Sequence, residues 1–425
     1  MSQISCVIPG EFFCPILLSF SSFSISFVVK LMMRVLELYS GIGGIHCAFE
    51  KSTLAYTIVA AVDINDTATL IYGRNFPDTP VLNRVLESLS TQELVSMNSD
   101  FWSMSPPCQP FTRLGNRKCE ADNRTVSFIH VLTLIASVQP SFLLLENVKG
   151  FEETEPWRQL LDVLNKCGYV YQQFLLTPLQ FGIPNCRLRF YMVARKKSSS
   201  GELASQTNGH LFSRAKLTNG IHLVPPTDAP ALPGCHCPTC LGMTRHITEP
   251  DENFSNYLPY CQPIANFIDV TASHLPKSIF LDNTCLERYF PILDIVRPCD
   301  RKTRCFTKGY SKRMEGTGSV LQSASLDLTA QQINSLWTSV KDDKKSVLTL
   351  AQSLGLRFFN SQEVANLLCF PPGYSFPELV TEKQRIRLLG NSVNVLVVAH
   401  VIYWAFGDVR FSTEEHDPDS RRTTV

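Results

Sequence analysis

The stretch Ser105-Pro106-Pro107-Cys108-Gln109-Pro110 constrains the fold of this chain more than any other. It follows residues 100–104, an apolar run that predicts a short buried strand ending in a turn. Two consecutive prolines fix φ and remove two backbone donors, so neither a helix nor a strand ladder continues through them. A strand, a stiff turn and then a cysteine predict a nucleophile at the carboxyl edge of a sheet, where open α/β folds bind ligands.

The alternative for Cys108 is a small buried side chain, since the chain has 15 cysteines among its 425 residues. An odd number of cysteines spread along the chain is unlike a secreted disulfide framework. We therefore expect free thiols in a reducing compartment, namely the cytoplasm with the nucleus as a second location.

The net charge of +1 gives no global attraction to nucleic acid or membrane. Any site for a polyanion must therefore be a local patch.

The first strand is predicted at residues 34–40 and runs into Gly41-Ile42-Gly43-Gly44 and a helix. This order suits a backbone that approaches a nucleotide-like ligand closely. The third glycine of the dinucleotide fingerprint is missing, which counts against NAD. The next predicted strand, residues 57–63, ends in Asp63, where an acid can accept hydrogen bonds from a ribose. The alternative is that Asp63 only caps the following helix.

Strand and helix patterns continue to alternate up to residue 196. They predict an α/β fold, Rossmann-like, with a mixed, mostly parallel sheet and helices on both faces. Residues 197–346 lack this pattern and are interpreted as a smaller inserted region, and helical periodicity over residues 391–406 marks a returning segment. The predicted division is a catalytic domain of residues 33–196 and 347–406, the insertion, and a disordered tail at 407–425.

Residues 12–29 are apolar and rich in serine, and resemble a weak membrane span or a signal sequence. No Lys or Arg precedes them, and a second pair of methionines stands directly before the first predicted strand. We therefore expect residues 1–32 to be a disordered extension or a start-site artefact and expect no membrane association. A targeting peptide, and with it a secreted or membrane protein, is the alternative.

Three further residues suggest the chemistry. A cysteine adds readily to an electron-poor ring carbon. Glu146 closes a predicted buried strand, and a carboxyl whose pKa is raised by burial can protonate a ring nitrogen. Arg187 and Arg189 stand two residues apart and share one face of a strand, where they can hold an oxygen atom. Taken singly, these residues could be a solvated strand end and a surface pair; together they indicate nucleophilic catalysis on a heterocycle.

In this order, the motifs resemble those of cytosine carbon-5 methyltransferases, and within that class the Dnmt2 family of tRNA methyltransferases. The residues that carry the resemblance are Leu38-Tyr39-Ser40-Gly41-Ile42-Gly43-Gly44, Pro106-Pro107-Cys108-Gln109, Glu146-Asn147-Val148, Arg187 with Arg189, Arg304-Cys305-Phe306-Thr307-Lys308-Gly309-Tyr310 and Gly390-Asn391-Ser392. One departure is Asn185, where many relatives carry Gln, so only the arginine roles are transferred.

The resemblance implies an S-adenosylmethionine-dependent methyltransferase fold with a target-recognition insertion, active as a monomer on cytosine 38 of tRNA-Asp. It implies that Cys108 adds to carbon 6 of the base, that Glu146 assists at the ring nitrogen, and that Arg187 and Arg189 steady the base. The cofactor site it implies consists of Tyr39, Gly41, Ile42, Gly43, Gly44, Asp63, Ile64, Leu86, Glu87, Ser105, Asn391 and Ser392.

A basic cluster near the Cys-Phe-Thr motif is the candidate RNA contact, with Phe306 or Tyr310 as candidates for base stacking. A solvated charged face is the alternative. The cluster consists of Arg297, Arg301, Lys302, Arg304, Lys308 and Lys312. Charge alone does not separate DNA from RNA, so a DNA methyltransferase stays a rival, as does a catalytically silent protein that binds the cofactor and RNA.

The insertion also holds Cys235, Cys237 and Cys240, with His246 further on. Three cysteines and a histidine can bind zinc, but this spacing is not a usual ligand pattern. We therefore assign no metal ligand from the sequence, and zinc stays an open alternative.

Overall fold

The computed structural model describes residues 32–107, 123–197, 217–218, 220–268, 276–324 and 327–407. Cys108 and the proposed disordered segments before residue 32 and after residue 407 lie outside these ranges, so the predictions made for them are untested. The strands are β1 (Met33–Leu38), β2 (Tyr56–Asp63), β3 (Val81–Asn83), β4 (Phe101–Met104), β5 (Phe142–Val148), β6 (Tyr169–Leu176), β7 (Asn185–Cys186), β8 (Arg189–Lys196), β9 (Leu217–Thr218), β10 (Ile221–His222), β11 (Ile295–Val296), β12 (Thr303–Arg304), β13 (Val320–Gln322) and β14 (Leu356–Arg357). The α-helices are α1 (Gly44–Ser52), α2 (Asp66–Asn75), α3 (Thr91–Ser96), α4 (Asn123–Val138), α5 (Glu155–Lys166), α6 (Asn283–Tyr289), α7 (Ala330–Val340), α8 (Lys344–Ser353), α9 (Ser361–Leu367), α10 (Glu382–Asn391) and α11 (Val395–Phe406).

Nine strands form one sheet in the order β3-β2-β1-β4-β5-β8-β6-β10-β9. Strands β1 to β5 pair in parallel with one another, whereas β8 runs antiparallel to both β5 and β6. The predicted mixed, mostly parallel sheet is confirmed. The short strands β9 and β10, which extend the sheet beyond β6, were not predicted. The chain leaves β1 in one direction along the sheet and returns on its other side at β4, and such a reversal opens a crevice at the carboxyl ends of the strands.

Successive side chains of a strand point to opposite faces of the sheet. In this sheet, helices pack on both faces and bury those side chains. On strand β4, Trp102 belongs to the core that α4 and α5 complete. Its neighbour Phe101 packs edge-on against Phe49 of α1 and Phe406 of α11, with ring centroids 5.1 and 5.0 Å apart. The apolar stretch Glu382–Phe406 is long enough to cross a membrane, but 83% of its apolar window is buried, as in a core helix of a soluble protein.

The predicted continuous helical segment at residues 391–406 is wrong at its start. Helix α10 ends at Asn391, and α11 begins only at Val395. The side chain of Asn394 accepts a hydrogen bond from the backbone N–H of Val397 at 3.1 Å, which starts a new helix rather than continuing the old one. The break leaves Ser392 in extended backbone.

A second core lies in the later part of the chain. It is built around Leu286, Ile333 and Leu354 and includes the small sheet β11-β13-β14. Helix α8, which crosses the predicted boundary at residue 346, and strand β14, which lies beyond it, both belong to this core. A smaller cluster around Tyr257 and Cys261 packs on Leu179, in a 3₁₀ turn at Pro178–Phe181. The insertion is therefore attached to the catalytic domain through the turn after β6.

Candidate active site

A cavity of about 790 Å³ opens at the carboxyl ends of β1, β2, β4 and β5, the place expected for a ligand in this topology. Eleven of the twelve predicted cofactor residues line it. They are Tyr39, Gly41, Ile42, Gly44, Asp63, Ile64, Leu86, Glu87, Ser105, Asn391 and Ser392. Their roles toward a cofactor stay predictions, but the structure brings all of them to one cavity.

The glycine turn after β1 explains why three glycines are needed there. Gly41 and Gly43 have φ of +54° and +83°, a region that L side chains rarely adopt. Gly43 is the predicted residue that does not line the cavity: a Cβ there would meet Phe76 Cε2 at 2.5 Å. A Cβ on Gly44 would meet Ser392 Oγ at 2.7 Å, so the returning segment can approach the turn only because Gly44 has no side chain.

Asp63 is fixed by backbone N–H groups at the end of β2. One carboxylate oxygen accepts from Gly41 N and the other from Asn65 N, both at 2.8 Å. Burial raises the pKa of Asp63, and these N–H groups oppose the rise. The cap of helix α2 is Asn65, which accepts from Ala68 N at 2.9 Å, so the alternative that Asp63 caps this helix is wrong.

The cavity offers a ligand both an apolar surface and an unpartnered polar atom. Ile64 is 64% exposed and presents an apolar surface beside Asp63. The buried Oγ atom of Ser40 lines the cavity and has no hydrogen-bond partner among the described residues, so it is available to a ligand. Ser40 and Ser127 were not predicted; Ser127 donates to or accepts from the Tyr39 hydroxyl at 2.9 Å. Ser40 had a sequence signal in its place between the predicted Tyr39 and Gly41, whereas Ser127 had none.

Glu146 lies at the end of β5 and faces the same cavity. Its burial raises the pKa of the carboxyl, and the charges of Arg189 and Arg187 oppose this rise. The alternative of a solvated strand end is therefore wrong. The neighbouring Asn147 was not predicted as a site residue; its side-chain amide donates to Pro106 O at 3.3 Å and so ties β5 to the proline turn that leads to Cys108.

Arg187 and Arg189 occupy different positions, and neither is a surface residue. Arg189 lines the cavity. Arg187 is 2% exposed and donates to three carbonyl oxygens, those of Phe306 at 3.1 Å, Gly390 at 3.2 Å and Ser392. Its guanidinium thus binds the backbone around the cavity and does not line the cavity itself.

Cys305 of the Cys-Phe-Thr motif lies between the two arginines, with its Sγ atom 3.5 Å from a nitrogen of each. Burial opposes ionisation of this thiol, but the charges of Arg189 and Arg187 outweigh it and lower the pKa of Cys305. The sequence marked Cys305 only as part of a family motif. Its contact with both arginines depends on β7 and β12, which pair side by side.

The predicted stacking role of Phe306 or Tyr310 is wrong. Both side chains are buried, and their rings pack edge to face at 4.9 Å. The Tyr310 hydroxyl donates to Ser319 O at 2.6 Å. These aromatics therefore support the loop around Cys305 and cannot stack on a base without unfolding it.

Most of the basic cluster is engaged within the protein. Arg297 pairs with Asp300 at 2.8 Å, and Arg304 pairs with Asp294 at 3.0 Å. Lys302 donates to Asn253 O at 2.9 Å. The remaining predicted residues are Arg301, which donates to Cys261 O, Lys308, which lines the cavity, and Lys312, which is exposed. A contact of this cluster with RNA stays a prediction.

The cysteine cluster of the insertion does not meet His246, whose ring bonds the hydroxyl of Tyr260 at 3.3 Å. The histidine that faces Cys235, Cys237 and Cys240 is His400. The sequence pairing with His246 is therefore wrong.

Comparison with known proteins gives consistent results. The profile of the C-5 cytosine-specific DNA methylases matches residues 33–405. The chain is 39% identical to a tRNA (cytosine(38)-C(5))-methyltransferase of Bos taurus and 37% identical to that of Homo sapiens; each alignment covers 87% of this chain and 98% of the relative. A crystal structure of a Spodoptera frugiperda DNMT2 mutant is similar with a TM-score of 0.69 and 32% identity, over 88% of this chain and 99% of that one.

Proposed function

The chain belongs to the C-5 cytosine-specific DNA methylases and, within them, to the Dnmt2 group, and on this basis we propose that it methylates carbon 5 of cytosine 38 in tRNA. One observation supports the chemistry above all others. The buried Glu146, paired with Arg189, faces the cavity that the glycine turn and Asp63 line. An acid of raised pKa beside a nucleoside-sized cavity suits protonation of a ring nitrogen.

The cavity residues would hold S-adenosylmethionine, which supplies an electrophilic methyl group when bound. Asp63, already oriented by two backbone N–H groups, would accept hydrogen bonds from ribose hydroxyls. Ile64, with its exposed apolar side chain, would cover the adenine. Ser392, brought to the cavity by the break between α10 and α11, would close the site from the returning segment.

The protein's own residues would then act on the base. The Cys108 thiolate adds to carbon 6, and Glu146 supplies a proton to the ring nitrogen, so that electron density moves to carbon 5. After carbon 5 has accepted the methyl group, it loses its proton to a base and the thiolate leaves. The ring nitrogen returns its proton to Glu146, which restores the neutral aromatic ring. Arg189 lines the cavity beside Glu146 and holds the Glu146 side chain in place. Arg187 positions the backbone of residues 306, 390 and 392.

The substrate is proposed from the relatives, whose printed name specifies cytosine 38 of tRNA. A base within a folded RNA must leave its stack to reach such a cavity, and a loop position makes this inexpensive. We further propose that tRNA-Asp is the preferred tRNA, that the enzyme acts as a monomer, and that it works in the cytoplasm and the nucleus. Lys308 at the cavity and the exposed Lys312 are the residues best placed to contact phosphates.

The test is methyl transfer from labelled S-adenosylmethionine to tRNA-Asp transcripts or to duplex DNA, with the labelled base located by sequencing. We expect label at position 38 of the tRNA, and loss of label in Cys108→Ala. Cys299→Ser is the matched control, because Cys299 is exposed and does not line the cavity. Label confined to DNA would replace the proposal with a DNA methyltransferase. No label on either substrate, with the cofactor still bound, would indicate a silent cofactor- and RNA-binding protein.

A further inference from the structure

Four potential metal ligands from distant parts of the chain converge outside the methyltransferase site. They are the Sγ atoms of Cys235, Cys237 and Cys240 and the Nε2 atom of His400, which all lie within 4.8 Å of one another. The Nε2 atom is 3.9, 3.5 and 3.1 Å from the three sulfurs in that order. The cysteines lie in the insertion and the histidine lies on α11, so these side chains are neighbours only in the folded chain.

These distances are close to those around a tetrahedral zinc ion. With Zn–S near 2.3 Å and Zn–N near 2.0 Å, neighbouring ligand atoms are separated by about 3.5 to 3.8 Å. Three thiolates and one imidazole are a common donor set of structural zinc sites, and soft sulfur ligands in a tetrahedral arrangement favour zinc over magnesium or calcium.

The orientation of His400 is that of a ligand. Its Nδ1 atom is 2.8 Å from the carbonyl oxygen of Leu396, a partner that can only accept, so Nδ1 carries the proton. In its neutral form, the ring directs the lone pair of Nε2 toward the three sulfurs. A backbone carbonyl that fixes the tautomer in this way is the usual outer partner of a zinc-bound histidine.

Burial supports the same interpretation. His400 is fully buried within α11, whose other residues are almost all apolar. A buried imidazole is costly unless its polar atoms have partners, and thiols are weak ones. The backbone N–H of Cys240 also points at Cys237 Sγ at 3.5 Å, so the protein supplies this sulfur with a backbone donor.

We propose that Cys235, Cys237, Cys240 and His400 bind one structural zinc ion. Four protein ligands complete the coordination and leave no position for a substrate. The ion would fasten the insertion to α11, at a place where the two already touch the turn after β6. There Thr239 donates to Gln180 O at 2.7 Å, and a Cβ on Gly182 would meet Pro238 at 2.7 Å.

The first experiment measures zinc by mass spectrometry in the full-length protein, purified without chelators under reducing conditions. We expect about one zinc ion per chain. His400→Gln should lower the content at least about tenfold, because loss of one ligand of four weakens a closed site strongly. The matched control is His246→Gln, which changes the histidine that the sequence offered as the fourth ligand and should keep the full zinc content. The double variant Cys237→Ser/Cys240→Ser, with Cys299→Ser as its control, gives a second comparison.

Cobalt substitution supplies a readout that is independent of activity and of the variants' stability. Exchange of zinc for Co²⁺ in the unmodified protein should produce the thiolate-to-cobalt absorption and the strong visible bands of a tetrahedral site. The proposal is overturned if the unmodified protein holds no stoichiometric zinc and gives no such bands. It is also overturned if His246→Gln loses zinc while His400→Gln retains it, or if mass spectrometry finds a disulfide between two of the three cysteines in the reduced preparation.

Discussion

The Nε atom of Arg189 lies 3.5 Å from Oε1 of Glu146, and both side chains are largely buried beside the cavity. Burial favours the neutral acid and the arginine favours the carboxylate. Burial is the larger effect, so the pKa of Glu146 is raised. The pair therefore holds a carboxyl of raised pKa in a fixed position beside the cavity, which is what protonation of a base requires.

Glu146→Gln should lower the rate of methyl transfer about 10²- to 10⁴-fold, because the amide cannot give a proton to the ring. Binding of S-adenosylmethionine, measured by calorimetry, should change little. Glu155→Gln is the control, since Glu155 is exposed and pairs with Arg158 on the surface. A Glu146→Gln variant with an unchanged single-turnover rate would remove Glu146 from the proposed chemistry.

Arg187→Lys should destabilise the fold by about 2 to 5 kcal/mol, because a lysine cannot replace a buried guanidinium that bonds three separate carbonyls. Cofactor affinity should fall as well, since Ser392 is one of those partners and lines the cavity. Urea unfolding and calorimetry measure the two effects. In the exposed control Arg158→Lys, both quantities should stay as in the unmodified protein. A stable Arg187→Lys variant with normal cofactor affinity would contradict the positioning role.

Gly44→Ala should weaken cofactor binding and lower stability by about 1 to 3 kcal/mol, since the new Cβ would meet Ser392 Oγ at 2.7 Å and Val393 Cγ2 at 2.9 Å. The matched control is Gly73→Ala in helix α2, where a Cβ meets nothing within 4 Å. There we expect a gain of about 0.5 to 1 kcal/mol, from the better helix propensity of alanine. If the two substitutions have equal effects, contact with the returning segment is not the reason for a glycine at position 44.

The buried Glu37 of strand β1 predicts a pH dependence of stability. Burial raises its pKa to about 8, whereas hydrogen bonds from Tyr72 and the backbone of His46 oppose the rise. Between the ordinary pKa of 4.5 and about 8, the folded state holds a proton that the unfolded state has lost, so this residue makes stability fall as pH rises through that window. Glu37→Gln cannot ionise and should flatten this part of the curve. Urea unfolding from pH 5 to 9 measures it, with Glu155→Gln as the control; an unchanged slope in Glu37→Gln would refute the assignment.

Several features of the site could be predicted from short stretches alone. The strand before the double proline, the glycine turn after β1, the acid at the end of β2 and the buried strand that ends at Glu146 all appear where local patterns indicated. Their positions depend on backbone geometry and apolar periodicity, which act over a few residues. Because the strands are parallel, their carboxyl ends meet at one edge, so the approximate composition of the cavity also followed from the chain.

Other features of the site depend on contacts between residues far apart in the chain, and only the tertiary structure decided them. The local pattern near Cys235 offered His246 as its partner, whereas the packing of α11 supplies His400. Arg187 reaches carbonyls about two hundred residues away, and the buried Tyr310 packs its ring against Phe358. Sequence periodicity states which face of an element is buried but not which other element buries it. Partners of that kind are set by the packing of whole elements, where hydrophobic contact and the pairing of buried polar groups must be satisfied together.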